Sequence, residues 1–174
     1  IKTVGIENSE FEKSSVQEVY DYFENKEFIA VDTETTGKDP HSAKIISLQL
    51  GDADNQFFID CRNTDISVFA PLLKTKKLIL QNAKFDYQML RAAGIYIEYI
   101  YDTMLAECVL YCGYDKWGYG LGNLTERYLG ITLEKETRSD FLSLGNRPFE
   151  GRHIKYGCLD VTYLHEIKKA QEKK

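Results

Sequence analysis

Apolar side chains recur along this chain with two different periods, and the switches between them mark out its elements. Ser14 and Ser15 precede Val16, Val19, Tyr20 and Phe23, whose i, i+3, i+4, i+7 spacing predicts a capped helix. Glu27 to Glu34 encloses Phe28-Ile29-Ala30-Val31, a β-branched and aromatic run that reads as a strand ending in polar residues. Thr35 to Pro40 is a turn cluster. Ile45 to Leu50 and Gln56 to Asp60 read as two more strands, and the Gly- and Asp-rich connection between them favours an antiparallel hairpin. Ile66 to Leu73 reads as a short helix and Lys77 to Gln81 as a strand. Ala83 to Ala93 reads as a helix that buries Phe85, Met89, Leu90 and Ala93 and ends at Gly94.

The second half is mostly helical. A further strand fits near Tyr96 to Ile100, where the pattern alternates, and Asp102 is placed to cap a helix from Thr103 to Tyr111. Residues 113–122 are rich in glycine and aromatics and have no period, so they read as a loop. Leu124 to Leu129 is helical up to Gly130, and Arg152 to Glu172 reads as one long helix. With no repeat, low-complexity tract or interior linker, residues 1–174 are expected to form a single α/β domain around a mixed sheet. Its longest apolar runs, such as Leu78-Ile79-Leu80, are too short to cross a bilayer, and no secretory pattern opens the chain, so no membrane partner is expected. The first residue is Ile1 rather than Met, which suggests a segment excised from a larger protein.

Composition narrows the function classes. A hydrophobic fraction of 43%, with 12 tyrosines and 9 phenylalanines, excludes disorder as the main state. A net charge of −5 argues against a nonspecific nucleic-acid coat. Residues 1–60 hold 5 basic and 13 acidic side chains, whereas the rest of the chain is slightly basic. An acidic site that recruits cations can still receive a polyanion, because bound metal inverts the local field. The 4 cysteines form no C-x-x-C pair, and Cys108 and Cys112 have no second Cys/His pair with which to build a zinc site. They read as small hydrophobes of a reduced protein, which places the chain in the cytoplasm.

Three places put carboxylates where core residues are expected. Asp32 and Glu34 flank Thr33 straight after the strand's apolar run, so a strand continuing through them would turn both to one face. Two like charges side by side are costly unless a cation neutralises them. Asp86 falls in the first turns of a helix, between Phe85 and Met89 and four residues after Asn82, a good N-cap. Tyr156 and Asp160, four apart on a late helix, share a face. Gly157 beside them costs that helix about 1 kcal/mol, which a close backbone approach would explain. Each has a plain structural reading as well: a solvated strand end, an acidic first helical turn, a half-buried tyrosine beside an exposed aspartate.

Taken in order, Asp-x-Glu on a strand, Asn-x-x-x-Asp opening a helix and Tyr-x-x-x-Asp on a late helix resemble the DEDD superfamily of 3′–5′ exonucleases, in its tyrosine-bearing branch. The histidine-bearing branch would place His where Lys155 stands. The resemblance runs from about Phe28 to Ile167. Asn82 to Asp86, Asp102 to Ala106 and Leu124 to Ile131 look more like the proofreading exonuclease domain of family A DNA polymerases than like ribonuclease D. It implies a ribonuclease-H-like fold, a mixed sheet of about five strands flanked by helices. It further implies a metal-dependent enzyme that hydrolyses phosphodiester bonds from the single-stranded or frayed 3′ end of DNA, releasing nucleoside 5′-monophosphates, with a covalently linked polymerase domain as a partner.

The resemblance also implies roles. Asp32 would bridge two Mg²⁺ ions, which Mn²⁺ could replace; Glu34 and Asp160 would complete the site of one, and Asp86 would hold the other through water. Tyr156 would orient the attacking water. Thr35 and Asn82 would contact the terminal nucleotide, and Lys84 a phosphate. The aromatic loop around Trp117 and Tyr119 could stack bases, although packing is its ordinary reading. Arg127, Arg138, Arg147, Arg152 and Lys155 could carry backbone charge, with solvated surface as their default. Two alternatives stand beside this reading: a ribonuclease D-like exoribonuclease, and an inactive binding or structural domain. The polar stretch from Glu134 to Glu150 departs from the pattern and puts the cleft entrance in doubt.

Overall fold

The computed structural model describes residues 1–134 and 138–174. Two short strands, β1 (Lys2–Val4) and β2 (Glu12–Lys13), precede helix α1 (Val16–Phe23). Strands β3 (Phe28–Thr35), β4 (Ile45–Gly51) and β5 (Gln56–Asp60) form a meander. A 3₁₀ turn (Ile66–Phe69) leads into α2 (Ala70–Thr75), then β6 (Lys77–Leu80), α3 (Ala83–Ala92) and β7 (Ile100–Asp102). The rest is helical: α4 (Thr103–Leu110), α5 (Leu121–Leu129), α6 (Arg138–Leu142), α7 (Gly151–Thr162) and α8 (Leu164–Glu172). Ser15 caps α1 as its position predicts, its Oγ accepting from the Glu18 N–H at 3.2 Å.

Among the described residues the strands form one sheet in the order β2-β1-β5-β4-β3-β6-β7. β4 is the reversed strand, antiparallel to β3 and β5, while β6 runs parallel to β3. This is the expected ribonuclease-H-like mixed sheet, with seven strands rather than about five. The additions are β1 and β2, whose three and two residues are too short to show a period.

Alternation along β3 divides the core. Ile29 and Val31 face one layer with Val19, Phe23, Leu73 and Leu90. Ala30 faces the other, with Val161 and Leu164. In that second layer α7 lies on β3, β4 and β5, and α8 on α4, α5 and β6.

Two expectations need correction. The strand expected near Tyr96 to Ile100 begins at Ile100 instead; Ile95 and Ile97 are buried without strand pairing, so their alternation reflects burial alone. The long helix expected from Arg152 to Glu172 is two helices broken at Tyr163. Thr162 Oγ1 donates to the Cys158 carbonyl at 2.6 Å, a back-bond that bends helices, and the break lets α7 follow β3 to β5 while α8 turns along β6, α4 and α5 in the same layer. The polar stretch from Glu134 to Glu150, whose residues 135–137 lie outside the described ones, supplies core: Phe141, Leu144 and Phe149 are buried behind α7.

Gly157 earns its place by proximity. A Cβ there would come within 2.8 Å of Phe58 Cε2 and 3.2 Å of Gln49 Nε2, so α7 lies on the sheet at a distance that only glycine allows. Gly157→Ala should therefore destabilise the protein by about 1–3 kcal/mol in urea unfolding, the cost of overpacking. A gain of about 1 kcal/mol, the helix-propensity benefit of alanine, would show that the contact is slack.

Candidate active site

The meander places β3 in the sheet between an antiparallel and a parallel neighbour, and the candidate site lies at its C-terminal end. In open α/β sheets ligands gather outside the carboxyl ends of strands where the topology switches. β3 continues through Asp32, Glu34 and Thr35, so both carboxylates belong to the strand and leave it on the α7 side. From α7, Asp160 joins them: one carboxylate oxygen from each of Asp32, Glu34 and Asp160 lies within 4.8 Å of the others. Tyr156 stands one turn before Asp160, its ring tilted against Phe141 of α6 at 5.8 Å.

Asp86 arrives from the opposite layer. It is 2% exposed on α3, and its Oδ1 accepts from the Thr33 N–H at 3.1 Å and the Thr33 hydroxyl at 2.6 Å. The residue between the two strand carboxylates thus clamps the third acid. Sequence reading missed Thr33; the available signal was a hydroxyl on a strand face otherwise occupied by Ile29 and Val31.

A second clamp sets the entry to α3. Asn82 has left-handed backbone (φ 61°, ψ 57°) and makes no side-chain cap bond, although it was expected to cap this helix. Asp102 caps it instead, accepting from the Asn82 and Ala83 N–H groups at 3.0 and 2.8 Å, and also caps its own helix through Met104 N–H at 2.9 Å. The Asn82 side chain is exposed, and so is Lys84, two residues before Asp86. Thr35 is buried, and its hydroxyl donates to the Gly37 carbonyl at 2.6 Å.

Other candidates are occupied elsewhere. Arg127 pairs with buried Glu107 at 2.5 Å and stacks over Trp117 at 4.0 Å, while Trp117 also stacks on Tyr111. That makes the aromatic loop a packed structure. Arg147 donates to the Ser143 and Leu144 carbonyls, Arg152 pairs with Asp140 and Glu150, and Lys155 pairs with Glu10. The Arg138 side chain lies outside the described residues. Cys108 and Cys112 join no metal-type cluster among the described residues.

The electrostatics favour a cation. Burial, then Asp160, Asp86 and Glu34, hold the Asp32 carboxyl well above the usual carboxylate range. Burial pushes Asp86 up to about 7 against the lowering effect of the two Thr33 bonds, with Asp160 adding to the rise. Asp32 Oδ2 is buried and has no hydrogen-bond partner among the described residues. An all-carboxylate donor set with an unsatisfied buried oxygen suits a hard divalent ion, which prefers oxygen ligands.

Comparison with known proteins agrees with this chemistry. Residues 7–174 match the family model described as 3′–5′ exonuclease. DNA polymerase I of Aquifex aeolicus is 30% identical over 145 residues, covering 83% of this chain and 23% of that protein. Ribonuclease D of Sphingobium indicum is 31% identical over 151 residues, covering 80% of this chain and 36% of that protein. The chain therefore spans about a quarter to a third of the curated relatives it matches. Among solved structures, Escherichia coli RNase D, described as an exoribonuclease involved in structured RNA processing, superposes with a TM-score of 0.73 at 25% identity, over 90% of this chain and 42% of that one.

Metal-free protein should lose stability as pH rises. Asp32 and Asp86 keep protons in the folded state that they release when unfolded; the Asp86 contribution is full below about 4 and fades as pH climbs towards about 7, and that of Asp32 is lost in the same direction. In EDTA, Asp32→Asn should raise the Tm at pH 8, and added Mg²⁺ should raise the wild-type Tm more at pH 8 than at pH 5. A Mg²⁺ shift of equal size at both pH values would count against the cluster as the ion's seat.

Proposed function

The chain belongs to the 3′–5′ exonuclease family that its residues 7–174 match, and from that membership we propose that it shortens single-stranded nucleic acid from the 3′ end, releasing nucleoside 5′-monophosphates. The observation that carries this reading is the convergence of Asp32, Glu34 and Asp160 within 4.8 Å around a buried, unsatisfied oxygen. The DEDD exonucleases use divalent metals; here Asp32 would touch two Mg²⁺ ions, Glu34 and Asp160 would complete the site of one, and Asp86 would hold the other through water. Bound there, such ions supply Lewis acidity for activating water and for stabilising charge on the leaving 3′ oxygen.

The chain's own groups do the rest. Tyr156, backed by Phe141, presents its phenol one helical turn from Asp160, where it orients a water for in-line attack on the terminal phosphorus. That bond forms as the bond from phosphorus to the 3′ oxygen breaks. Asn82, with its side chain free of capping duty, contacts the terminal nucleotide; Lys84 meets a phosphate, and Thr35 acts through the turn that it ties to Gly37.

DNA proofreading, with a polymerase domain on the same polypeptide, is the reading supported by the likeness to DNA polymerase I. RNA trimming is supported by an equal likeness to ribonuclease D. Four free cysteines suit a reducing, cytoplasmic setting for either.

A 5′-labelled single strand, offered as DNA and as RNA with Mg²⁺ or Mn²⁺, tests the proposal. A ladder shortening from the 3′ end is expected, abolished by EDTA and reduced more than about a hundredfold by Asp32→Ala. Tyr156→Phe should lower kcat by about a hundredfold with little change in KM, the signature of a group acting on the reacting water. The preferred sugar decides between the two substrates. No shortening of either strand by folded protein would refute the exonuclease reading.

A further inference from the structure

β4 carries two polar residues that neither the clamp nor the carboxylate cluster accounts for. Gln49 stands directly opposite Asp32 in the strand register, and Ser47 directly opposite Glu34. Opposed residues of an antiparallel pair share a face, with Cβ atoms about 5 Å apart. Both Gln49 and Ser47 are 0% exposed. Gln49 Nε2 donates to Ser47 Oγ at 2.6 Å, and Ser47, accepting that bond, keeps its own proton to give.

The surroundings make this pair expensive. Gln49 faces Phe58 across the other strand pairing, and α7 covers it at Gly157, where a Cβ would lie 3.2 Å from its Nε2. Its Oε1 is buried with no hydrogen-bond partner among the described residues, as is Asp32 Oδ2 on the opposed residue. A buried acceptor left unpaired keeps its full desolvation penalty, and a leucine or methionine here would avoid it. Two unsatisfied acceptors on directly opposed residues are tolerated most readily where a positive charge comes between or beside them.

We propose that Gln49, braced by Ser47, is a positioning residue for the cation site: it sets the orientation of Asp32 and turns its amide carbonyl towards the ion's hydration shell. The inference rests on the metal-dependent reading of the cluster and adds a β4 layer beneath it. Outer groups that orient ligands typically change metal affinity or activity by about 10–100-fold when removed.

The test is a Mn²⁺ titration by calorimetry on wild type, Asp32→Ala, Gln49→Met and Ser47→Ala, alongside thermal unfolding in EDTA and kinetics at several metal concentrations. Gln49→Met should raise the Mn²⁺ Kd about tenfold or more while the metal-free Tm holds or rises, and excess Mn²⁺ should restore its kcat with the nucleic-acid KM unchanged. Ser47→Ala should shift the Kd the same way, by less, and answers the question should Gln49→Met not fold. A wild-type Kd in whichever of the two variants folds would overturn the proposal, including where the Tm falls, because that pattern belongs to plain core packing. Absence of Mn²⁺ binding to wild type would overturn it together with the proposed function, whereas wild-type binding abolished by Asp32→Ala but unmoved by the β4 variants would sink this inference alone.

Discussion

Three carboxylate oxygens held within 4.8 Å of one another, with a fourth acid buried beside them, repel strongly in a site from which much of the water has been removed. Left to themselves these side chains would swing apart into solvent. They stay because each is mounted on an element that cannot move independently. Asp32 and Glu34 belong to a strand paired on both sides, and Asp160 to a helix locked down by a glycine contact. Asp86 is tied by two hydrogen bonds to the residue between the strand acids. The remaining strain appears as raised carboxylate pKa values and an unsatisfied Asp32 oxygen. A divalent cation relieves both at once, so the folding cost and the functional requirement have the same origin.

The rest of the architecture serves this mounting. α7 reaches the sheet closely because Gly157 has no side chain to keep it away, and Gly51 similarly leaves room for Val161, whose Cγ2 would lie 3.1 Å from a Cβ there. Behind α7, Phe141 and Phe149 form a wall with rings 6.1 Å apart, and Phe141 supports Tyr156. On the far side Asp102 caps two helices with one carboxylate, which fixes the start of α3 and leaves Asn82 in a left-handed conformation. Non-glycine residues held this way are tolerated where surrounding bonds over-determine them.

Much of this was legible in local pattern, and the failures are informative. The pairing of Asp32 with Glu34 follows from the period of two that any strand imposes. The capping roles of Ser15 and Asp102 towards their own helices follow from residue type and position. By contrast, the alternation at residues 95–100 matched a strand template, yet only Ile100 entered one, because burial and pairing are separate conditions that a single period cannot distinguish. The stretch from Glu134 to Glu150 looked polar on average, yet its apolar residues were the ones that packed. Arg127 looked like a surface charge and is instead the partner of a buried glutamate 20 residues earlier, a contact no local window contains.

By itself the chain's sequence determined the class of fold, the candidate carboxylates and the elements that carry them, since these depend on periodicities and side-chain chemistry that act within a few residues. Tertiary structure alone decided which acids converge, which arginines are spent on packing, where the last helix breaks, and that Thr33, Gln49 and Ser47 lie against the site. Those outcomes depend on strand register and on the distance between layers. A bond from residue 33 to residue 86, or a glycine in contact with a strand about a hundred residues away, exists only once the sheet and its helices have closed on each other.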